Sequence, residues 1–265
     1  MKKPIIRAVP AWPPAKTKAV LFRLIPLVLL LLLWQVGSRV SSSAALPSPL
    51  AVLSVMVSEA RSGALFLNLA ITLARVTAAF ALAMALGTVL GVAMGRNMTI
   101  NRLFDPLLIV LLNVPALVII VLAYIWVGLN EAAAIGAVAL NKLPNTAVTL
   151  REGTRALDKS LDEMARVFRL PFGAKLHHVV LPQLVPYLVA ATRSGLSLVW
   201  KIVLIVELLG RSNGIGFEIG IAFQLFDVAR LLAYALPFVG LMLAIETFLV
   251  QPFEHHISRW RLHGA

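Results

Sequence analysis

The apolar residues of this chain fall in blocks that are long enough, as helices, to cross a lipid bilayer. The longest block covers residues 65–95 and is interrupted only by Asn68 and Arg75. As a helix its 31 residues would extend roughly 46 Å, more than the ~30 Å hydrocarbon core, so it must tilt or project from the bilayer. Charged residues make up only 14% of the chain, where a soluble protein has about a quarter. The sequence therefore predicts an all-α polytopic membrane protein.

Six such blocks predict six transmembrane helices. The first covers about residues 20–37, and the others cover about 65–95, 106–127, 132–150, 184–209 and 231–250. The predicted domains are a disordered basic tail (1–19), a first helix with an external loop (20–63), a transmembrane domain (64–253) and a second tail (254–265). Within the transmembrane domain, residues 151–182 form a long loop.

Lysine and arginine are distributed unevenly between the connecting segments. If the N-terminus is cytoplasmic, 16 of the 24 basic residues lie on the cytoplasmic side, four lie outside and four lie within apolar blocks. Because cytoplasmic loops are enriched in Lys and Arg, both termini are predicted to be cytoplasmic. The net charge of +12 is explained by these basic residues beside the apolar blocks, which is the pattern of membrane topology. We therefore predict no nucleic-acid partner.

Several kinds of chemistry are absent from the sequence. The chain has no cysteine, which excludes disulfides and thiolate ligands. The histidine pairs His177-His178 and His255-His256 are sequence neighbours that do not face one another on a helix, so they predict no metal site. No G-x-x-x-x-G-K-[ST] string occurs, so the chain carries no P-loop of its own. We therefore predict no catalytic residue, no metal site and no cofactor bound by this chain.

The loop over residues 151–182 is too long to be structureless. Ser160 and Glu163 have the spacing of a capping box, which predicts that a short helix begins at Ser160. Pro171 forces the residue before it out of helical geometry, so this helix should end near Arg169. A second short helix is expected over residues 172–179. On spacing alone, two amphipathic helices that lie on lipid headgroups would explain the loop equally well.

The amino-acid sequence of this loop also resembles a known motif. The stretch EMARVFRLPFGAKLHHVVLP is similar to the cytoplasmic motif of ABC importer permeases, which reads E-A-A, three residues, G, nine residues, I-x-L-P. Glu163 and Ala165 match its start, and Val179, Leu181 and Pro182 match its end. The stretches NLAITLARVTAAFALAMALGTVLGVAMG, DPLLIVLLNVPALVIIVLAYIWVGLNEAAAI and VELLGRSNGIGFEI resemble permeases of nitrate, sulfonate and taurine importers. The resemblance covers about residues 65–253 and implies a type I ABC importer permease.

Two positions depart from the family's motif. Met164 replaces the first alanine, and Arg169 stands where the family usually has glycine. Because arginine lacks the conformational freedom of glycine, Pro171 and Gly173 are expected to provide the break between the two helices instead.

The resemblance implies partners and a location. Such permeases pair as dimers in the bacterial inner (plasma) membrane, each copy docks an ATPase subunit that holds ATP and Mg, and an extracytoplasmic binding protein delivers the solute. The motif helix would seat in a cleft on the ATPase, which drives the membrane helices. The residues implied in this docking are Leu161, Glu163, Met164, Ala165, Arg166, Phe168, Arg169 and Gly173.

Ionisable residues inside apolar blocks are costly in hydrocarbon, so they predict the solute path, a partner or an interface. The six residues of this kind are Arg75, Lys142, Arg193, Lys201, Glu207 and Glu246. Four of them are basic, which suits an anionic solute such as nitrate, a sulfonate or taurine. Two alternatives stay open: Arg193 and Lys201 reach headgroups, or Arg75 and Glu207 are structural partners of one another. The path candidates are Arg75, Asn113, Pro115, Lys142, Arg193, Ser197, Lys201 and Glu207, where Asn113 and Pro115 mark a predicted local unwinding of the third helix.

The glycine-rich segment at 210–220 is open to two interpretations. In the family this region gates the external side, whereas its composition alone is typical of a flexible connector. Two other functions compete with an ATP-driven importer: a secondary ion-coupled carrier that needs no ATPase, and a membrane scaffold that transports nothing. A carrier gives the long capped loop no purpose, and no pair of equivalent halves, which would favour a carrier, is visible. The charged residues inside the apolar blocks speak against a scaffold.

Overall fold

The computed structural model describes residues 16–41, 43 and 45–252, with side chains from residue 25 onward. Most of the two predicted tails, and the His255-His256 pair, lie outside these residues. Helix α1 begins at Lys16, four residues before the predicted start of the first helix. The described residues form eleven helices and no strand: α1 (Lys16–Ser41), α2 (Pro49–Arg61), α3 (Ala64–Arg96), α4 (Met98–Asn113), α5 (Ala116–Val127), α6 (Glu131–Arg155), α7 (Lys159–Val167), α8 (Phe172–Lys175), α9 (Leu181–Gly210), α10 (Ile215–Gln224) and α11 (Val228–Ile245).

The all-α expectation is confirmed, whereas the count of six spans is not reproduced as such. Among the described residues, three helical segments are long and apolar enough to cross a membrane: Ala64–Arg96, Phe172–Gly210 and Val228–Val250. The pair α4 and α5 makes a fourth if a bent pair counts as one span. Helix α6 packs along α3, but Lys142 and its polar neighbours lower its apolarity.

The third predicted helix, over 106–127, is two helices in the structure. Helices α4 and α5 meet at an angle of 102°. Val114 between them is extended (φ −75°, ψ 126°), because the residue before Pro115 is excluded from helical geometry. Asn113 ends α4, where its side-chain amide donates to the carbonyl of Ile109 at 2.8 Å. The predicted break at these residues is therefore a sharp bend.

Two segments of the fold were not predicted as helices. Helix α2 occupies much of the external loop expected between the first helix and residue 63, and its N-cap Ser48 accepts a hydrogen bond from the amide of Ala51 at 3.2 Å. Helix α10 occupies half of the glycine-rich segment and ends at Gln224. Phe226, two residues later, has a φ of 55° that reverses the chain before α11.

Small residues bring α3 and α6 into close contact. Ala79, Ala83, Gly87, Gly91 and Gly95 recur every fourth position and form one face of α3. This face packs against Thr146, Ala147, Leu150 and Thr154 of α6. Helices in a membrane associate through such close backbone approach, because lipid supplies no hydrophobic driving force between them.

Replacement of Gly91 by alanine is expected to destabilise the bundle. The new methyl carbon would lie 2.9 Å from Cβ of Leu150 and closer still to the carbonyl oxygen of Ala147. Overpacking of this kind costs about 1–3 kcal/mol. Gly240→Ala is the matched control, since a methyl group there meets no atom within 4 Å. Thermal unfolding in detergent should show a lower midpoint for Gly91→Ala only; equal midpoints would contradict the close packing of α3 on α6.

One long helix connects the two ends of the molecule. Residues Phe172–Gly210 are continuously helical over 39 residues, with a π-helical turn at Leu176–Val180 that joins α8 to α9. Its first residues adjoin α7, and its last residues adjoin residues 128–131 and α10. We call these the α7 end (residues 96, 97 and 155–175) and the α10 end (residues 63, 128–131 and 210–218) of the molecule.

Candidate functional site

The start of α7 is capped by a residue other than the predicted one. Asp158 is the N-cap, and its carboxylate accepts hydrogen bonds from the amide and the hydroxyl of Ser160, both at 2.8 Å. Ser160 is thus the second residue of the helix, so the predicted capping box with Glu163 was wrong. The carboxylate of Asp158 is the stronger acceptor for the free amides of the first turn. The N-cap of α7 therefore lies two residues earlier than predicted.

The end of α7 lies where expected, but its geometry differs from the prediction. The amide of Leu170 donates to the carbonyl of Ala165, and the amide of Arg169 to that of Arg166, both at 3.0 Å. This pair of bonds is a Schellman motif, which needs a left-handed residue after the helix. Arg169 supplies it with φ 49°. Arg169 therefore adopts the conformation that glycine favours, while Gly173 lies inside helix α8.

Arg169→Gly is expected to stabilise this turn. The left-handed conformation costs a residue with a Cβ about 1 kcal/mol or more, whereas glycine adopts it readily. Hydrogen exchange of the amides of residues 168–170 should slow in the variant. Arg166→Gly, one turn earlier and inside the helix, should instead speed exchange. Faster exchange in Arg169→Gly would contradict the assignment of strain to Arg169.

One exposed face of α7 is apolar, although exposed helix faces usually carry polar residues. Phe168 is 73% exposed, and Met164 and Leu161 are exposed on the same side. Val167 and Phe172 enlarge this surface and were not among the predicted docking residues. We call these five residues the α7 patch. Ala165 points the other way and is 2% exposed.

Charged side chains surround the α7 patch. Asp162 pairs with Lys175 at 2.6 Å and with Arg166 at 2.8 Å, which ties α7 to α8. Glu163 and Arg166 are exposed, and they line a cleft of about 620 Å³ between α7 and the ends of α3 and α6. Of the predicted docking residues, Leu161, Met164 and Phe168 belong to the α7 patch, Glu163 and Arg166 line the cleft, Arg169 and Gly173 are exposed, and Ala165 is buried.

Two carboxylates of this loop have lowered pKa values. The hydrogen bond from Lys175 lowers the pKa of Asp162, and the hydrogen bonds of Ser160 lower the pKa of Asp158. A pKa that is lower in the folded loop contributes stability above the ordinary pKa, and this contribution is lost as the pH falls through the folded value. Both contacts therefore persist at neutral pH and weaken only below about pH 4.

The α10 end contains a buried polar network centred on Arg75. The guanidinium of Arg75 donates to Glu207 at 2.7 Å and to Glu131 at 2.6 and 2.8 Å. It also donates to the backbone carbonyl of Asn213 at 2.8 Å and to the side-chain oxygen of the same residue. Arg75 is 5% exposed and Glu207 is completely buried. This geometry favours the alternative in which Arg75 and Glu207 are structural partners over the one in which both residues line the solute path.

The Arg75 network holds the glycine-rich segment in place. Three consecutive backbone amides of this segment donate to side chains of α3 and α9. Gly214 donates to Asn68, Ile215 to Thr72 and Gly216 to Glu207, each at 2.8 Å. Gly214 has φ 104°, and a side chain there would collide with Glu207. The segment is therefore a fixed turn rather than a flexible connector.

Glu131 extends this network to the surface. Its carboxylate accepts from Arg211 at 2.6 Å as well as from Arg75, and it is 49% exposed. Arg211 also donates to the carbonyl of Leu129 at 2.8 Å. The turn before α6 and the turn before α10 are thus joined by one half-exposed carboxylate.

The other path candidates separate into three places. Arg193, Ser197 and Lys201 are exposed on one face of α9, one turn apart. Lys142 is buried between α6 and α9, with its ammonium 3.5 Å from the hydroxyl of Ser194. Asn113 and Pro115 are exposed at the bend between α4 and α5. Of these three places, the α9 face and Lys142 adjoin one another.

Comparison with known proteins identifies the chain. A profile described as the inner membrane component of binding-protein-dependent transport systems matches residues 83–251. The chain belongs to this family. It is a membrane-embedded permease subunit of an ABC importer, a transport subunit rather than an enzyme, which works with an ATPase and a substrate-binding protein. The carrier and scaffold alternatives are set aside.

Several relatives resemble the permease over most of its length. The aliphatic sulfonates transport permease protein SsuC of Escherichia coli is 37% identical and covers 69% of this chain and 71% of its own. SsuC of Bacillus subtilis is 29% identical over 90% of this chain and 86% of its own. The bicarbonate transport system permease protein CmpB of Synechococcus elongatus is 27% identical over 62% and 58%.

A solved structure has the same fold. The crystal structure of an amino acid ABC transporter with histidines superposes with a TM-score of 0.61 at 20% identity, over 76% of this chain and 98% of that one. At this identity the likeness concerns the fold alone.

Asn68, Thr72, Glu131, Asp162 and Asn213 were not among the predicted site residues, although the sequence contains a signal for three of them. Asn68, Thr72 and Arg75 are spaced by four and three residues, which predicts one polar face on α3. Asp162 and Arg166 have the spacing of a helical ion pair. By contrast, nothing local predicts that Glu131 and Asn213 meet Arg75, because they lie 56 and 138 residues from it.

Proposed function

We propose that this permease moves a small anionic solute along the exposed face of α9 that carries Arg193, Ser197 and Lys201. The supporting observation is the position of these side chains on a helix of a membrane-spanning segment. Polar and charged groups that face hydrocarbon are costly, so this face must meet water, a solute or another protein surface.

The charge of the path and the names of relatives both favour an anion. Arg75 is neutralised by Glu131 and Glu207. The remaining basic residues within the apolar blocks are Lys142, Arg193 and Lys201, against one carboxylate, Glu246. Relatives are named for aliphatic sulfonates and for bicarbonate, which are both anions. We therefore propose nitrate, a sulfonate, taurine or a similar compound as the solute.

A second copy of the chain would complete the path. One copy leaves the polar face of α9 open, and closed two-fold pairs are the commonest oligomers. Pairing across this face would give two sets of Arg193, Ser197 and Lys201 around one channel. The proposed transporter thus holds two permease copies and two ATPase subunits.

The α7 end is proposed to face the cytoplasm, with both termini on that side. The excess of Lys and Arg in the segments at this end supports the orientation. The α7 patch would dock on the ATPase, which binds ATP and Mg. Because Phe172–Gly210 is one helix of about 58 Å, movement of the docked loop would reach Glu207 and the turn at residues 213–216 directly. The ATPase would thereby act on the α10 end, which we propose to be the external gate.

Uptake by reconstituted vesicles tests the proposal. The permease is inserted in liposomes with its ATPase, and the binding protein is added to the side of the α10 end. Ethanesulfonate, nitrate and bicarbonate are offered singly, with ATP or ADP on the opposite side. We expect one of these anions to accumulate with ATP and binding protein together. Accumulation driven by an ion gradient without ATP, or of none of the three anions, would contradict the proposal.

A further inference from the structure

We infer that Lys142 provides a positive charge to the passing anion at the middle of the membrane, at the position of Ser194 beside the exposed face of α9. This inference rests on the proposed function and adds to it a residue that determines the charge of the solute. It concerns a side chain that is 1% exposed and lies apart from the Arg75 network.

Lys142 lies near the middle of α6. It follows Glu131 by 11 residues and precedes Arg155 by 13, so each end of α6 is about 17–20 Å away. Gly195 is equally central in α9 (Leu181–Gly210). A lysine side chain reaches about 6 Å and cannot bring its charge to either headgroup region from there. The ammonium must therefore be accommodated inside the protein.

The ammonium of Lys142 has an incomplete set of partners. Its hydrogen-bond partner is the hydroxyl of Ser194, at 3.5 Å, and among the described residues no carboxylate pairs with it. An ammonium group can donate three hydrogen bonds. Arg75, a second buried cation of the same bundle, has two carboxylates and a backbone carbonyl. The chain can thus neutralise a buried cation and does not do so at Lys142, as expected where the missing counter-ion is a ligand.

Gly195 lets Lys142 pack against the buried side of α9. A methyl group on Gly195 would lie 2.9 Å from Nζ of Lys142 and would collide with its Cε. The absence of a side chain at 195 therefore lets the ammonium lie against α9. Ser194, the next residue, is exposed and lies at the edge of the face that carries Ser197 and Lys201. An anion moving along this face would replace the hydroxyl of Ser194 as the partner of Lys142.

Two substitutions separate a charge that binds solute from one that only fills space. Methionine matches the length of lysine without its charge. Lys142→Met should therefore preserve uptake if Lys142 only fills space, and reduce uptake if its charge binds the solute. Gly195→Ala keeps the charge and displaces the ammonium from Ser194. Lys142→Arg keeps a cation, and Arg102→Met removes an exposed cation from α4, outside the path.

These variants are compared in the reconstituted uptake assay with the anion that the wild type accumulates. We expect the initial uptake rate to fall about tenfold or more in Lys142→Met, as for loss of a charged hydrogen bond. Gly195→Ala should fall as well, Lys142→Arg should retain part of the rate, and Arg102→Met should match the wild type. Co-purification of the ATPase with each variant reports assembly.

The outcomes distinguish this inference from the proposed function. If the wild type accumulates no anion with ATP, the proposed function fails and the inference falls with it. If ATP-driven uptake occurs and Lys142→Met leaves it unchanged, the inference alone is overturned. Should Lys142→Met fail to assemble, Gly195→Ala decides: unchanged uptake overturns the inference, and reduced uptake with an assembled complex supports it.

Discussion

Phe168→Asp is expected to abolish retention of the ATPase by this permease. Phe168 is a 73% exposed aromatic side chain of the α7 patch, at the end of α7, and Met164 lies one turn before it. A large exposed apolar surface outside the membrane spans is typical of a protein interface. Aromatic anchors at such interfaces contribute about 2 kcal/mol or more, which is roughly a thirtyfold loss of affinity when removed. A carboxylate in the same place adds a desolvation cost.

The measurement is the amount of ATPase that co-purifies with the tagged permease in mild detergent. Phe226→Asp is the matched control: it makes the same change at an exposed phenylalanine that follows α10. Phe226 has φ 55°, which aspartate tolerates well, so the control should fold. We expect full retention in Phe226→Asp and almost none in Phe168→Asp. Equal retention in both variants would show that the α7 patch is not the docking surface.

Arg75→Met is expected to destabilise the permease more than Gly91→Ala does. It removes the partner of Glu207, a completely buried carboxylate, and frees the turn at Asn213. Loss of one member of a buried ion pair costs about 3–5 kcal/mol, because the other charge stays buried without compensation. The midpoint of thermal unfolding in detergent should fall accordingly. The amides of residues 214–216 should also exchange faster with solvent.

Two further variants test the cause. Arg75→Met with Glu207→Met removes both charges and should recover much of the lost stability, since no charge is left unpaired. Glu131→Gln should cost far less than Arg75→Met, because Glu131 is half exposed and water can replace its contacts. A double variant less stable than Arg75→Met alone would contradict the assignment of the network as a compensated buried charge cluster.

The parts of the fold that follow from local rules were predictable. The length of the block at 65–95 predicted a helix longer than the membrane is thick, and α3 (Ala64–Arg96) has that length. Pro115 predicted a break, because proline excludes its predecessor from helical geometry. The angle of 102° between α4 and α5 was not predictable, since packing against α6 and α9 sets it.

The candidate sites were predictable only in part, as three cases show. The cap of α7 was assigned to Ser160, because spacing alone does not show which of two nearby side chains caps a helix. In the structure the carboxylate of Asp158 accepts the hydrogen bond from the first turn. Arg169 was taken as a loss of the hinge, yet the Schellman hydrogen bonds hold arginine in the left-handed conformation. Glu131 and Asn213 reach Arg75 only through the packing of distant helices, which no local pattern contains.

The absence of cysteine from the natural chain allows the most direct test of coupling through α7. A single cysteine introduced as Phe168→Cys carries a short photoreactive crosslinker, and membranes that contain the whole transporter are illuminated. We predict an adduct between the permease and its ATPase, whose yield changes when ATP is added, and none from the same reagent at Phe226→Cys. Adducts of Phe168→Cys with lipid alone would mean that the α7 patch rests on the headgroups, and would contradict coupling through this loop.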